Sequence, residues 1–485
     1  MCYLLNRWVQ RWDCCPIRHT VDWVAAMPVV SDRLNPFQNC QDFFQFLNQQ
    51  QSLTPTATAS NQIISISIEL DSIDPLAVLA ALATAKQPYF YLEKKFTDTA
   101  IAAGGTVISL ETSGSDRFTQ VREFIAKHPL SSINARFFCS FTFFDRAADQ
   151  PAALVYLPQW QVMRQGDRCI ATLNLPLHAS SHHYEAAWRQ LQAMRSASLV
   201  QWPDARSLTG WQMQEVNRFC PTVVSALKLI QSQRLRKLVV AHAVDVIARH
   251  PFHWLQTIDR LRQQHPHCHV FATSAGSGHF VGASPERLLS VSNSFQNGTA
   301  RWLYTDALAG SAPRGESIAT DAAWGQHLMA STKERTEHQL VTKFICDRLE
   351  QLGLTPTCAA VPTLLKLPHL QHLHTPIQAE LPPDLHPIDL VAQLHPTPAV
   401  AGLPNQIACQ HIRQLETFER AHYAAPLGWV DPQGNAEFIV GIRSALLNGN
   451  RARLYAGAGI VSGSTPDREF AEVKLKLQPL LQALV

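Results

Sequence analysis

Hydrophobic and polar residues alternate with two different periods along the chain, and these periods predict its strands and helices. From Ile63 to Leu70, apolar residues alternate with Ser or Glu, which is the period of a half-buried strand. Similar short apolar segments predict strands over 152–157, 168–175, 237–246, 270–273, 280–282, 288–291, 438–446 and 452–458. Helical spacing predicts helices over 76–85, 212–232, 254–264, 334–352, 386–392, 406–419 and 467–484. Strands of antiparallel type mixed with helices indicate an α+β fold rather than a doubly wound sheet.

The first 26 residues differ from the rest of the chain. They contain three of the eleven cysteines and three tryptophans, but no long apolar segment of the kind found in a signal peptide. We interpret residues 1–26 as an N-terminal extension of uncertain role. One reading is that translation starts at Met27.

Composition excludes several classes of protein. The 485 residues are 46% hydrophobic, which is enough for a large core, and the net charge is only +3. So small a bias gives no support to a nucleic-acid or membrane-surface partner. The longest apolar run, Leu76 to Ala85, is far shorter than the roughly 20 residues of a membrane span. The eleven cysteines form no C-x-x-C motif, which indicates reduced thiols and predicts a cytoplasmic protein.

Two pairs of glutamates are spaced for metal binding. Glu334 and Glu337 lie three residues apart on one predicted helix, and Glu469 and Glu472 lie three apart on another, so each pair shares a helical face. If the two helices met, their carboxylates could bind a hard cation such as Mg²⁺. Spacing alone favours the ordinary interpretation, in which such pairs decorate solvated helices.

Three further residues have both an ordinary and a chemical interpretation. Lys237 begins an apolar predicted strand, where it is either a surface cap or a base whose pKa burial lowers. Glu286 follows a predicted strand, where it is either a turn carboxylate or a general acid. Arg443 lies inside an apolar predicted strand and needs an anionic partner, either within the protein or on a ligand. Two glycine-rich stretches, 308–315 and 455–464, are either tight turns or sites of close backbone approach to a ligand.

Six motifs, in order along residues 208–482, together resemble the chorismate-utilising enzymes. They are FVGASPERLL, ALAGSAPRG, STKERTEHQLV, LHPTPAVAGLP, GWVDPQGNAEFIVGIRSALL and YAGAGIVSGSTPDREFAEVKLKLQPL. The resemblance implies an α+β fold of two joined halves, with large antiparallel sheets wrapped by helices. It also implies a chorismate-binding catalytic region over 208–485, preceded by a divergent N-terminal part of the fold over 27–207.

The resemblance further implies a role for individual residues. The Mg²⁺ ligands of the family match Glu337 and Glu472, and Glu334 and Glu469 match the acids beside them. The lysine base of the water-using members matches Lys237, and their general acid matches Glu286. Residues that match substrate contacts are Ser311, His395, Ala399, Tyr423, Arg443, Gly457 and Lys476.

Local features indicate a branch of the family. Ala309 stands where aminodeoxychorismate synthases carry a nucleophilic lysine, and the Pro-Thr-Pro-Ala segment ending at Ala399 is similar to isochorismate synthases. Lys237 favours water over ammonia as the nucleophile, although the segment Val240-Ala241-His242 departs from the Leu-x-Arg of relatives. We therefore predict a monomeric, Mg²⁺-dependent isomerase that converts chorismate to isochorismate for menaquinone or phylloquinone synthesis. Salicylate synthase, an anthranilate synthase large subunit and a non-catalytic binding relative stay open as alternatives.

Overall fold

The computed structural model describes residues 37, 39–53, 63–83, 87–130, 132–197, 210–276, 278–293 and 300–484. The proposed N-terminal extension and Met27 lie outside the described residues.

The strands in chain order are β1 Ile63–Leu70, β2 Tyr89–Lys94, β3 Thr99–Gly104, β4 Ile108–Thr112, β5 Phe137–Phe141, β6 Ala153–Leu157, β7 Trp160–Gln165, β8 Arg168–Pro176, β9 Gln212–Glu215, β10 Lys237–Ile247, β11 His269–Ala275, β12 Gly278–Ser284, β13 Arg287–Asn293, β14 Arg301–Pro313, β15 Thr357–Cys358, β16 Thr363–Lys366, β17 Leu370–Leu381, β18 Gly402–Leu403, β19 Pro426–Val430, β20 Ala436–Val440, β21 Ser444–Asn448 and β22 Arg451–Ile460. The helices are α1 Cys40–Leu53, α2 Pro75–Leu82, α3 Arg117–Lys127, α4 Ser181–Ser196, α5 Phe219–Gln231, α6 Trp254–Gln264, α7 Ile318–Ala330, α8 Thr332–Gln351, α9 Pro387–Leu394, α10 Asn405–Leu415 and α11 Pro466–Leu484.

Two large antiparallel sheets form the framework. The described strands of the larger sheet follow the order β1-β8-β7-β3-β2-β11-β12-β21-β22-β10-β18, with β9 also paired to β10. The second sheet follows the order β15-β17-β14-β13-β20-β19-β5-β6-β4, with β16 also paired to β17. The predicted α+β architecture with large antiparallel sheets and helices is confirmed.

Both sheets combine strands from the N-terminal and C-terminal parts of the chain. In the larger sheet β2 pairs with β11, and in the second sheet β5 pairs with β19. Buried apolar side chains of both parts belong to one continuous cluster. The two parts thus share their sheets and their core. The proposed division between residues 207 and 208 stays a prediction.

Helices form where apolar residues recur at helical spacing and face this core. In α5 the buried residues are Phe219, Val223, Ala226 and Ile230, which lie on one face of the helix. No helix among the described residues is long and apolar enough to cross a membrane.

Three predicted elements differ from the structure. Residues 212–215, predicted as helix, form the edge strand β9, because their backbone pairs with residues 244–247 of β10. The predicted strand over 438–446 is two strands, β20 and β21, which belong to different sheets. Between them the chain turns at Arg443, whose φ is 50°. The predicted helix over 406–419 ends at Leu415 as α10.

The long strands β14 and β17 were not predicted, although they pair along most of their length. Their register shifts between Ala309 and Ser311, where Gly310 has a φ of +79°. This bulge lies in the first of the two glycine-rich stretches. The second stretch is largely the regular strand β22, not a turn.

The backbone conformation of Gly402 requires glycine. This residue has a φ of +147° where β18 pairs with β10. A Cβ at this position would collide with the carbonyl oxygen of Lys237 and lie 2.9 Å from the Cβ of Ala408. We expect Gly402→Ala to lower the free energy of unfolding by about 3 kcal/mol, measured as a shift in the urea midpoint.

The matched control is Gly449→Ala. Gly449 also has a positive φ, +57°, but a Cβ there would meet nothing within 4 Å. It should lose only about 1 kcal/mol, the cost of the left-handed backbone alone. Equal midpoint shifts for the two variants would contradict this account.

Candidate active site

An open cavity is lined by strands of both sheets and by two helices. The larger sheet contributes residues of β10 and β22, and the second sheet contributes residues of β14 and β17. Helix α8 contributes Glu337, and α11 contributes Glu472 and Lys476.

Most of the residues selected from the sequence meet at this cavity. Those that line it are Glu286, Ser311, Glu337, Ala399, Tyr423, Arg443, Gly457, Glu472 and Lys476. Lys237, Glu334, His395 and Glu469 are not among the lining residues.

Lys237 lies directly behind the cavity wall. Its side chain is completely buried, and its Nζ is 2.8 Å from Oε1 of Glu337. The two atoms are close enough for an ion pair, but their angles do not fit a hydrogen bond. Among the described residues the ammonium therefore has no hydrogen-bond acceptor. Both side chains pack against Gly459, where a Cβ would collide with Glu337 and lie 2.9 Å from Cε of Lys237. The absence of a side chain at this glycine therefore makes room for the pair.

The two glutamate-bearing helices meet, as the spacing argument required. Lys333 of α8 bridges them, with its Nζ 2.8 Å from Glu469 and 3.5 Å from Glu334. Glu334 also accepts a hydrogen bond from the backbone N–H of Ser311 at 3.2 Å. Glu334 and Glu469 are thus buried beside the cavity and held by protein groups.

Glu337 and Glu472 instead face the cavity. Burial alone would raise the pKa of Glu472, but the Lys476 ammonium, 2.7 Å away, lowers that pKa to about 2. Lys476 also donates to the carbonyl oxygen of Gly457 at 2.7 Å. Glu472 is therefore an anion at any physiological pH.

No group of three or more His, Cys, Asp or Glu side chains in the described part of the chain is arranged to hold a metal by itself. Mg²⁺, however, is usually bound by one or two carboxylates, with waters and substrate oxygens completing its coordination. Two carboxylates in one cavity, Glu337 and Glu472, fit that donor set.

Glu286 is a buried acid, 4% exposed. Its backbone N–H donates to Oγ of Ser284 at 3.2 Å, and that hydroxyl donates to the carbonyl of Val440 at 2.6 Å. Burial raises the pKa of Glu286 to about 8, although the charge of Lys237 opposes the shift. The carboxyl group is therefore mostly protonated at neutral pH and can donate a proton.

Arg443 is connected to Ser311 through His372, a cavity residue that was not selected from the sequence. Arg443 lies 3.1 Å from Nε2 of His372, and Nδ1 of His372 lies 3.0 Å from Oγ of Ser311. Burial and the nearby Arg443 charge lower the pKa of His372 to about 3, so the ring is neutral. Because Nε2 faces an arginine donor, we assign the proton to Nδ1.

His395 faces away from the cavity. Its Nε2 lies 3.0 Å from the carbonyl oxygen of Phe143, and its ring packs edge-on against Phe143. On the cavity side, the ring of Tyr423 stacks on Tyr455. A Cβ added at Gly457 would lie only 2.9 Å from the Tyr423 hydroxyl oxygen. A side chain at Gly457 would therefore displace the Tyr423 hydroxyl.

Comparison with known proteins identifies the family. Residues 45–485 match the family model described as chorismate binding enzyme. The chain belongs to the chorismate-binding enzyme family. The resemblance inferred from the six motifs is thereby confirmed.

Several isochorismate synthases are similar to this chain over nearly their whole length. The salicylate biosynthesis isochorismate synthase of Pseudomonas aeruginosa is 33% identical over 478 residues, covering 93% of this chain and 96% of the relative. The isochorismate synthase MenF of Escherichia coli is 31% identical over 447 residues, covering 88% and 95%. The chain is accordingly an enzyme of the isomerase type, and the expected branch of the family is confirmed.

Solved structures agree with these matches. The menaquinone-specific isochorismate synthase MenF from Escherichia coli superposes with a TM-score of 0.76 at 29% identity, covering 92% of this chain and 99% of that one. Anthranilate synthase component I from Streptococcus pneumoniae superposes with a TM-score of 0.66 at 19% identity, which shows a shared fold.

The contacts of His372 lead to a test by substitution. We expect His372→Leu to raise the Kd for chorismate by about tenfold to a hundredfold, measured by calorimetry, because Arg443 and Ser311 lose a buried hydrogen-bond partner worth about 1–3 kcal/mol. His395→Leu tests the residue chosen from the sequence. Because the His395 ring lies outside the cavity, His395→Leu should change the Kd for chorismate by less than about threefold. The reverse ranking of the two variants would contradict the assignment.

Proposed function

We propose that this protein is a Mg²⁺-dependent isochorismate synthase, which adds water at C2 of chorismate and expels the C4 hydroxyl. The observation that carries the proposal is that one site contains both a buried acid and a buried amine. Glu286, a buried acid with a raised pKa, faces the cavity, and Lys237, a buried amine, lies behind its wall. A site with a proton donor and a proton acceptor suits a reaction that adds one hydroxyl and removes another.

The cavity also matches the charge of chorismate, which carries two carboxylates. Arg443 is the cationic group for the pyruvyl carboxylate, and its guanidinium is held in place by His372. The Tyr423 hydroxyl and the Gly457 N–H are further donors for the same carboxylate. Burial strengthens each charge-assisted hydrogen bond, because little water competes for the donors.

The proton transfers follow from these positions. Lys237 acts in its neutral form and accepts a proton from the water molecule whose oxygen bonds to C2, and Glu337, 2.8 Å away, stabilises the ammonium that results. The ring double bond shifts, the C4–O bond breaks, and Glu286 gives its proton to the departing hydroxyl, which leaves as water. Each such proton transfer is typically worth about 10²–10⁴ in rate. The product is an isomer of the substrate, since one water enters and one leaves.

Glu337 and Glu472 are the residues that would hold Mg²⁺. The bound ion would neutralise the ring carboxylate and draw electron density from the diene. Glu334 and Glu469 would support the site from behind, through Lys333 and the Ser311 N–H.

The pathway served is a finer part of the proposal. We favour menaquinone or phylloquinone synthesis, on the similarity to MenF proteins. The segment Ala424 to Trp429 also resembles isochorismate synthases of the menaquinone and phylloquinone type. A salicylate pathway is the second candidate, because the Pseudomonas aeruginosa relative is named for salicylate biosynthesis. Ala399, which lines the cavity, is the local feature that favours release of isochorismate over further elimination of pyruvate.

Product analysis tests the proposed function. Purified protein with chorismate and Mg²⁺ should form isochorismate without pyruvate, and EDTA should abolish turnover. Chromatography and mass spectrometry would follow isochorismate, salicylate and pyruvate. Salicylate with matching pyruvate would move the enzyme to the lyase branch, and metal-independent turnover would contradict the roles of Glu337 and Glu472.

The raised pKa of Glu286 predicts the direction of the pH dependence. Because the acid must be protonated to act, kcat/KM should fall as the pH rises through about 8. In Glu286→Gln the rate should be about 10²–10⁴ lower, and this alkaline limb should disappear because glutamine does not titrate. An unchanged limb in the variant, measured at saturating Mg²⁺, would assign the titration to another group.

A further inference from the structure

The strand that carries Lys237 lacks a neighbouring strand along part of one edge. β18 pairs with Lys237 and Leu238, and β9 pairs with residues 244–247. Between these two segments, no described strand pairs with β10 on that edge. Buried backbone groups need partners, so other groups must satisfy residues 239–243.

A buried ion pair fills part of this gap. Glu416 accepts a hydrogen bond from the N–H of Ala241 at 2.9 Å, and Arg420 donates to the carbonyl oxygen of Val239 at 3.0 Å. The two side chains hold each other through two bonds, from Nε of Arg420 at 2.8 Å and from its NH2 group at 2.6 Å. Their side chains are 3% and 1% exposed.

Neighbouring groups complete the edge. Asn217 donates to the carbonyl oxygen of Ala241 at 3.0 Å and accepts from the N–H of Ala243 at 3.1 Å. The N–H of Val239 donates to the carbonyl oxygen of Ala401 at 2.7 Å. Side chains and a loop therefore supply the backbone hydrogen bonds that a neighbouring strand supplies elsewhere in the sheet.

Arg420 also forms hydrogen bonds with two other segments that line the cavity. Its NH1 group donates to the carbonyl oxygen of Val400 at 2.7 Å, in the segment that contains Ala399. The backbone carbonyl of Arg420 accepts a hydrogen bond from the N–H of Tyr423 at 2.7 Å. Val239, Val400 and Tyr423 all line the cavity.

We propose that Glu416 and Arg420 are positioning residues for the reaction, which fix the strand bearing Lys237 against the Ala399–Val400 segment and Tyr423. The proposal rests on the function proposed above. Neither side chain lines the cavity, so both act through the backbone that they hold. A displacement of about 1 Å at a reacting group can reduce a rate by about a hundredfold, so such a clamp has kinetic consequences.

The planar fork of arginine explains why this residue type is needed. One guanidinium donates to Glu416, Val239 and Val400 at once. Lysine keeps the positive charge but presents a single nitrogen, which cannot satisfy acceptors in three directions at those distances. Arg420→Lys is therefore the variant that separates positioning from charge.

The matched control is Arg453→Lys. Arg453 also donates two bonds to a buried carboxylate, Asp245, on the same strand β10. That pair lies near the other end of the strand, and neither residue lines the cavity.

We expect Arg420→Lys to reduce kcat/KM by about tenfold to a hundredfold, and Arg453→Lys by less than about twofold. Hydrogen exchange measured without substrate should speed up in 237–243 and 397–402 in Arg420→Lys, but not in the segments around Tyr89 or Trp160. Glu416→Gln is the second variant, which keeps an acceptor for Ala241 but not the charge, and it should show the same pattern.

Several results would overturn the proposal. They are a folded Arg420→Lys with kcat/KM within twofold of the wild type, an equal loss in Arg453→Lys, or failure of both Arg420→Lys and Glu416→Gln to fold. Failure of the proposed function is a different result, because the wild type itself would then form no isochorismate. The exchange rates would still show in that case whether the pair holds the two segments.

Discussion

The ion pair between Lys237 and Glu337 connects the proposed general base to the proposed metal position. Removing an ion from water costs several kcal/mol even after the protein relaxes, so a fully buried ammonium needs a close opposite charge. Glu337, 2.8 Å away, supplies that charge and faces the cavity at the same time. One carboxylate therefore stabilises the buried lysine and is available as a metal ligand, which links the proposed base to the proposed metal position.

The rest of the site repeats this arrangement around the cavity. Glu472 pairs with Lys476 and Glu469 with Lys333, whereas Arg443 contacts the neutral ring of His372 and makes no ion pair among the described residues. Glu286 also makes no ion pair among the described residues, and burial raises its pKa to about 8. Lys476 instead lowers the pKa of Glu472 to about 2, so this cavity holds a protonated acid and an ionised carboxylate together.

Much of the site could be predicted from the sequence, because ordered motifs marked Glu286, Glu337, Arg443 and Glu472. The pairing of Lys237 with Glu337 could not, since the residues are 100 positions apart and meet only through the packing of α8 on the sheets. The helix expected over 212–232 begins with a strand for a similar reason. Pairing with β10, not local propensity, decides the structure of residues 212–215.

Two further errors have local causes. The apolar sequence around Arg443 has no feature that separates one strand from two, and the left-handed turn there depends on the change of sheet. His372 lies on β17, whose alternation of exposed and buried residues from Pro376 onward is typical of a strand. That alternation could have located the strand, but the contacts of His372 with Arg443 and Ser311 require the folded sheet.

The central claim is that this cavity uses water as the nucleophile at C2. The most direct measurement is the reaction of chorismate and Mg²⁺ in water labelled with heavy oxygen, with the position of the label in the product read by mass spectrometry. The account predicts that isochorismate carries the label on its C2 hydroxyl and nowhere else. Unlabelled isochorismate would mean that the original hydroxyl migrates within the substrate, and it would contradict the roles given to Lys237 and Glu286.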